Sequence, residues 1–157
     1  MKVIHWITAA AALAFVQPAP ASAAVGDPEV IIYRFPGVLD DGSVGILGVA
    51  TVFHCTNFGG ATETIRFVTR NTGGDLLQNT TTSIAHLATR TAATHATNSY
   101  NTLVNIGTGL VNPGTTAIAA TSTNIICTAM VLDAANPKPD GVSLRGIRFN
   151  PVPGSQE

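Results

Sequence analysis

VATVFHCT (49–56) and STNIICTAMVL (122–132) decide the fold. In the first, Val49, Thr51, Phe53 and Cys55 alternate with Ala50, Val52, His54 and Thr56; in the second, Ile125, Cys127, Ala129 and Val131 share one face. A repeat of two is the signature of a half-buried strand, because successive side chains point to opposite sides of the pleat. Cys55 and Cys127 are the only cysteines, and each lies mid-strand on the apolar face. A bridge between the inner faces of two packed sheets accounts for both positions; the alternative is two buried free thiols. Such a bond closes a 72-residue segment, which the chain-entropy treatment values at about 4 kcal/mol.

Working outward, short stretches rich in Val, Ile, Thr and Phe recur between turn clusters, the spacing of an all-β sandwich. Strands are expected near 29–35, 44–56, 62–70, 76–84, 85–95, 101–106, 115–120, 122–132 and 141–149. The stretch 85–106 is the least regular of these. Breaks are expected at Pro36-Gly37, Asp40-Asp41-Gly42, Asn57 to Gly60, Asn71 to Asp75, Asn112-Pro113-Gly114 and Asn136 to Asp140, where Gly, Pro, Asn and Asp gather. No helix, repeat or linker stands out.

The amino end reads as an export signal. Lys2 supplies a charge, Ile7 to Val16 is apolar, Gln17 to Pro20 breaks the run, and Ala21-Ser22-Ala23 fits a small-residue cleavage rule. Ten apolar residues fall well short of the about 20 that a membrane-spanning helix needs. The expected organisation is a signal peptide at 1–23, cleaved near Ala23-Ala24, a β-sandwich domain at 24–149 and a tail at 150–157. The exported chain, periplasmic or extracellular, then carries no transmembrane segment. Beyond residue 23 it has seven cations against nine acids, with 20 threonines and 10 asparagines. Threonine at that level favours strands. A balance this acidic argues against nucleic acid as a partner, since a phosphate backbone demands a basic surface.

The paired cysteines, with Phe67 twelve residues after Cys55, resemble the immunoglobulin-like sandwiches, in which an aromatic side chain packs on an inter-sheet disulfide. The resemblance implies about seven to nine strands with one inter-sheet bond. FHCTN (53–57), IRFVTRN (65–71), NIICTAM (124–130) and LRGIRFNP (144–151) also resemble a group of short exported bacterial proteins, a likeness that implies compartment and fold but no activity.

In the last strand, strict alternation would drive arginine into the core. A bulge at Arg145-Gly146 resets the phase, turning Val142, Leu144, Ile147 and Phe149 inward and Arg145 and Arg148 outward. If the strands carrying Ile65 to Phe67, Cys127 and Val142 to Phe149 are neighbours in one sheet, then Arg66, Arg70, Arg145 and Arg148 flank an apolar row of Ile126, Thr128, Met130 and Leu132. Arginine stems would simply cover that row, or Arg66, Arg70, Met130, Arg145 and Arg148 form a binding face for an acidic glycan or protein.

Catalytic and metal motifs do not emerge. His54, His86 and His95 lack ligand spacing, and no metal or other cofactor is expected. Asp40-Asp41 lacks a third calcium ligand nearby. Ser43 lacks the G-x-S-x-G setting of a nucleophile elbow, and Gly107-Thr108-Gly109 has no following lysine to make a phosphate loop. Asn79-Thr80-Thr81 fits a glycosylation sequon but also a polar strand. The leading expectation is a non-enzymatic binding or adhesion module. A self-assembling subunit that donates residues 29–35 to a neighbour's sheet edge is the second reading. An enzyme is the third, and it needs a histidine and an acid brought together by loops.

Overall fold

The computed structural model describes residues 29–100, 103–138 and 140–149. The expected signal peptide, the cleavage point and the expected tail lie outside them. Short β-branched runs broken by Gly and Asn give ten strands: β1 (Val30–Asp40), β2 (Val49–Asn57), β3 (Glu63–Arg70), β4 (Leu76–Ile84), β5 (Thr89–Ala93), β6 (Leu103–Asn105), β7 (Val111–Ala120), β8 (Ile125–Asp133), β9 (Gly141–Leu144) and β10 (Ile147–Arg148). They form two five-stranded sheets, in the orders β10-β1-β7-β3-β4 and β6-β5-β2-β8-β9. The chain is an all-β sandwich, with ten strands where seven to nine were expected.

The core lies between the sheets. Tyr33 and Phe35 of β1, Phe53 of β2 and Phe67 of β3 form a chain of rings from one sheet to the other and back, with successive centroids 5.8, 5.6 and 5.7 Å apart. These spacings suit edge-to-face and offset contacts. Ile32, Ile65, Ile84, Ile118 and Ile125 fill the space around them.

Cys55 and Cys127 are bonded, but not across the sandwich. They stand directly opposite each other on neighbouring antiparallel strands, β2 and β8, with their Cα atoms 4.2 Å apart. The expected inter-sheet placement is corrected by simple geometry. β2 and β8 are neighbours in one sheet, and facing residues of adjacent antiparallel strands are within disulfide reach. The position also departs from the immunoglobulin arrangement, whose linked strands belong to different sheets.

Four local expectations change as well. Residues 41–48 are a loop, so the second strand begins at Val49 rather than at 44. Pro36-Gly37 and Asn112-Pro113-Gly114 do not break the chain; they lie inside β1 and β7. Pro36 opposes Thr115 and Val38 opposes Gly114, with a register shift between these pairs, so two irregular segments absorb each other. Gly114 is required there, because a Cβ would collide with the carbonyl oxygen of Arg70. Lastly, Arg145-Gly146 is no bulge but a change of sheet: β9 pairs with β8 and β10 pairs with β1. Gly146 crosses against the ring of Phe35, where a side chain would clash. Val142 is consequently 72% exposed rather than inward, and Ile147 is exposed too.

Residues 29–35, the proposed donor segment, are taken up within the chain's own sheet from Val30 onward, between β7 and β10.

The bond is sealed, with Cys55 fully buried and Cys127 6% exposed. Native protein should therefore resist thiol reductant until denaturant is added. Denaturant titration of Cys127→Ala should show a loss of about 2–4 kcal/mol.

Candidate functional site

At one end of the sandwich a buried polar cluster fastens the 41–48 loop. Asp40, the last residue of β1, is 2% exposed, and His95, just after β5, is 8% exposed. His95 Nδ1 lies 2.8 Å from Asp40 Oδ2, and its Nε2 lies 2.9 Å from the Leu47 carbonyl oxygen. Each ring nitrogen thus faces an oxygen, one of a carboxylate and one of the loop backbone. Thr108 Oγ1 lies 3.4 Å from the same Asp40 oxygen, sharing its proton with the nearer Gly109 carbonyl at 3.0 Å, and the Gly42 amide donates to the other Asp40 oxygen at 2.8 Å. A buried carboxylate is tolerated when its lone pairs are filled in this way.

Thr51 and Thr94 brace the cluster from behind. Thr51 Oγ1 donates to the Leu39 carbonyl at 2.8 Å, and the Thr51 amide donates to Thr94 Oγ1 at 3.1 Å. The loop base closes with the Asp41 amide donating to the Val49 carbonyl and the Ala134 amide to the Gly48 carbonyl. Gly48 has φ +74°, and the space its missing Cβ leaves is taken by the Asp41 carboxylate.

The loop tip points out. Val44, Ile46 and Leu47 are 81, 43 and 59% exposed, and Leu110, which meets the loop at Gly42, is 62% exposed. An ideal Cβ on Gly42 would lie 3.3 Å from that of Leu110, so the loop and the β6–β7 connection touch. Next to them is a pocket of about 290 Å³ lined by Leu39, Asp40, Asp41, Val49, Leu110, Val111 and Asn112. The backbone amide of Ser43, 3.1 Å from Asp41 Oδ1, holds the Asp41 carboxyl below its usual range.

The arginine face does not assemble. Arg66 and Arg70 lie on β3 in one sheet, Met130 on β8 in the other, Arg145 in the sheet-changing turn and Arg148 on β10 at the far edge from β3. Their guanidiniums serve the chain itself. Arg66 Nε pairs with Glu29 at 2.5 Å, Arg70 donates to the Gly74 carbonyl, and Arg148 donates to the Thr123 carbonyl and lies over the Tyr33 ring. The apolar row on β8 is covered by another element. Tyr100, in the connection after β5, packs with Val52, Ala93, Met130 and Leu132 as a small second core. That connection is tied down where the Asn98 amide donates to Ala134 and Ser99 Oγ to Asn136. Ile126, beyond its reach, stays 48% exposed.

Of the three histidines, His54 lies on the outer face of β2, opposite Cys55, as alternation requires. It bonds Thr91 Oγ1 at 3.0 Å and stands edge-on to Tyr100 at 4.7 Å. His86 meets the Gly59 carbonyl. Ser43 turns back onto Asp41. Among the described residues no three His, Cys, Asp or Glu gather as a metal site.

Sequence reading noticed Asp40-Asp41-Gly42 as a turn and His95 as an isolated histidine. It missed their union, because 55 residues separate the two side chains, and they meet only where the sheet of β1 packs on the sheet of β2 and β5. No family model matches the chain, and no curated protein or solved structure matches it.

Two outcomes follow from this geometry. Asp40→Ala strands the His95 ring in the interior and should cost about 3 kcal/mol, with faster amide exchange across residues 41–48 as the local signature. Burial lowers the His54 pKa from 6.5. The unfolded chain thus binds the proton more readily, and this group's share of stability is full above pH 6.5 and is lost as pH falls through the lowered value. The acid-side fall in thermal midpoint should be shallower in His54→Gln than in wild type.

Proposed function

We propose that this chain is an exported, non-enzymatic binding module that meets a protein partner with the apolar loop tip Val44, Ile46, Leu47 and Leu110. The observation that carries the reading is the pairing of this tip with a buried latch beneath it. Four large apolar side chains on two touching segments are exposed, while the Asp40–His95–Leu47 chain of hydrogen bonds holds the loop that presents three of them. Exposed apolar patches rimmed by polar groups mark interfaces, and binding residues concentrate on loops that a rigid scaffold positions. Export is supported by the charged, apolar and small-residue pattern of residues 1–23 together with the sealed Cys55–Cys127 bond, a feature of oxidising compartments.

The joined histidine and acid invite the enzymatic reading, but the second ring nitrogen of His95 ends on a backbone carbonyl rather than on a hydroxyl nucleophile. A latch suits that geometry better than a general base. An acidic ligand on arginines is less favoured, because Arg66, Arg70 and Arg148 already engage acceptors of their own chain.

The test is to probe peptide and glycan arrays and neutral lipid vesicles with residues 24–157. Peptide binding should fall to background in Val44→Ser with Leu110→Ser, at unchanged thermal midpoint. Arg66→Ala with Arg148→Ala should lower the midpoint and leave binding intact. Binding confined to glycans or vesicles, or peptide binding untouched by the tip changes, overturns the proposal.

A further inference from the structure

The pocket beside the loop tip has an unusual division of labour. Its walls are Leu39, Val49, Leu110 and Val111, and its only charged lining groups are Asp40 and Asp41. Asp40 is committed, with its oxygens accepting from His95, Thr108 and the Gly42 amide. Asp41 is exposed, and one of its oxygens accepts from the Ser43 amide at 3.1 Å. The missing Cβ of Gly48 lets this carboxylate lie flat against the loop backbone. No lysine or arginine occurs between Asp40 and Val49 or between Asn105 and Ala120, and the one basic side chain of the cluster, His95, faces Asp40 rather than Asp41.

A cavity with aliphatic walls and one negative charge at its edge is matched by a ligand with an alkyl stem and a positive head. The stem displaces water from the walls, and an ammonium is a compact charge on a four-carbon chain. At about 290 Å³ the site is near the lower limit for ligand pockets, the size for one side chain rather than a drug-like molecule.

Resting on the binding-module reading above, we propose that this pocket receives a lysine side chain of the protein partner, with the stem between Leu39, Val49, Leu110 and Val111 and the ammonium on Asp41. An acidic rim also fits a protein better than a cell membrane, whose anionic surface repels it.

The experiment is a titration of ¹⁵N-labelled protein, residues 24–157, with N-acetyl-lysine methylamide and, separately, with N-acetyl-norleucine methylamide, which keeps the stem and lacks the charge. The lysine compound should shift amides at 39–42, 49 and 110–112. The norleucine compound should bind more weakly, and Asp41→Asn should weaken the lysine compound by about fivefold, the scale of an exposed ion pair. Equal binding of the two compounds, no shift at these amides, or an Asp41→Asn protein that binds lysine undiminished overturns the inference. Because the readout needs no partner, failure here leaves the array result standing. Loss of array binding in the tip variant beside an unresponsive pocket would mean that the tip binds without a lysine.

Discussion

Everything in this molecule is referred to one registered pair of strands. β2 and β8 run side by side for nine residues, from Val49 opposite Asp133 to Asn57 opposite Ile125, with Cys55 facing Cys127 within that run. A slip of β2 by one residue would turn Phe53 and Cys55 out of the core and bring His54 into it. The covalent bond forbids that slip. Both faces of the pair are then used: Phe53 and Ala129 join the main core, while Val52 and Leu132 join the small core under Tyr100. The end of β5, zipped to β2, fixes where His95 emerges, and with it the latch on Asp40.

The strands were legible because alternation and β-branched content are local. Expected and observed elements coincide closely at 62–70, 76–84 and 122–132. What alternation does not state is which strand lies beside which. Cys55 and Cys127 were correctly placed on apolar faces, yet the same faces serve an inter-sheet or an in-sheet bond equally well. The arginine face failed for that reason: it assumed β3 beside β8, and β3 pairs with β4 and β7 instead. Pro36-Gly37 and Asn112-Pro113-Gly114 misled differently, since each is a break when read alone and becomes tolerable only opposite the other. The latch was invisible because its members are spread over residues 40, 47, 95 and 108, and no spacing rule joins them.

Most charged side chains that the structure describes are exposed, yet many of them bond within their own chain. With few ionic groups available, most that the structure describes are spent on internal fastening: Glu29 with Arg66, Asp40 with His95, Arg90 on the Ser83 carbonyl, Arg148 on the Thr123 carbonyl. Arg90 occupies a carbonyl on β4, the long free edge of its sheet, and Gln78 Oε1 accepts the Asn79 amide of the same strand. Occupied edge groups discourage pairing with another chain. Threonine and asparagine share the solvation of the surface with these few charges.

The sheet change at Gly146 has a consequence for how the chain reaches this state. β1, the first strand, is flanked by β7 and β10, and Phe35 on it is covered where the chain crosses at Gly146. An early segment thus waits for late ones before its apolar side is closed. Contacts of such long sequence separation form slowly, because the loop entropy is spent before the contact returns anything. A nascent chain lacking its last strands has no completed sheet around β1. That delay leaves the polypeptide open until its last strands have been made.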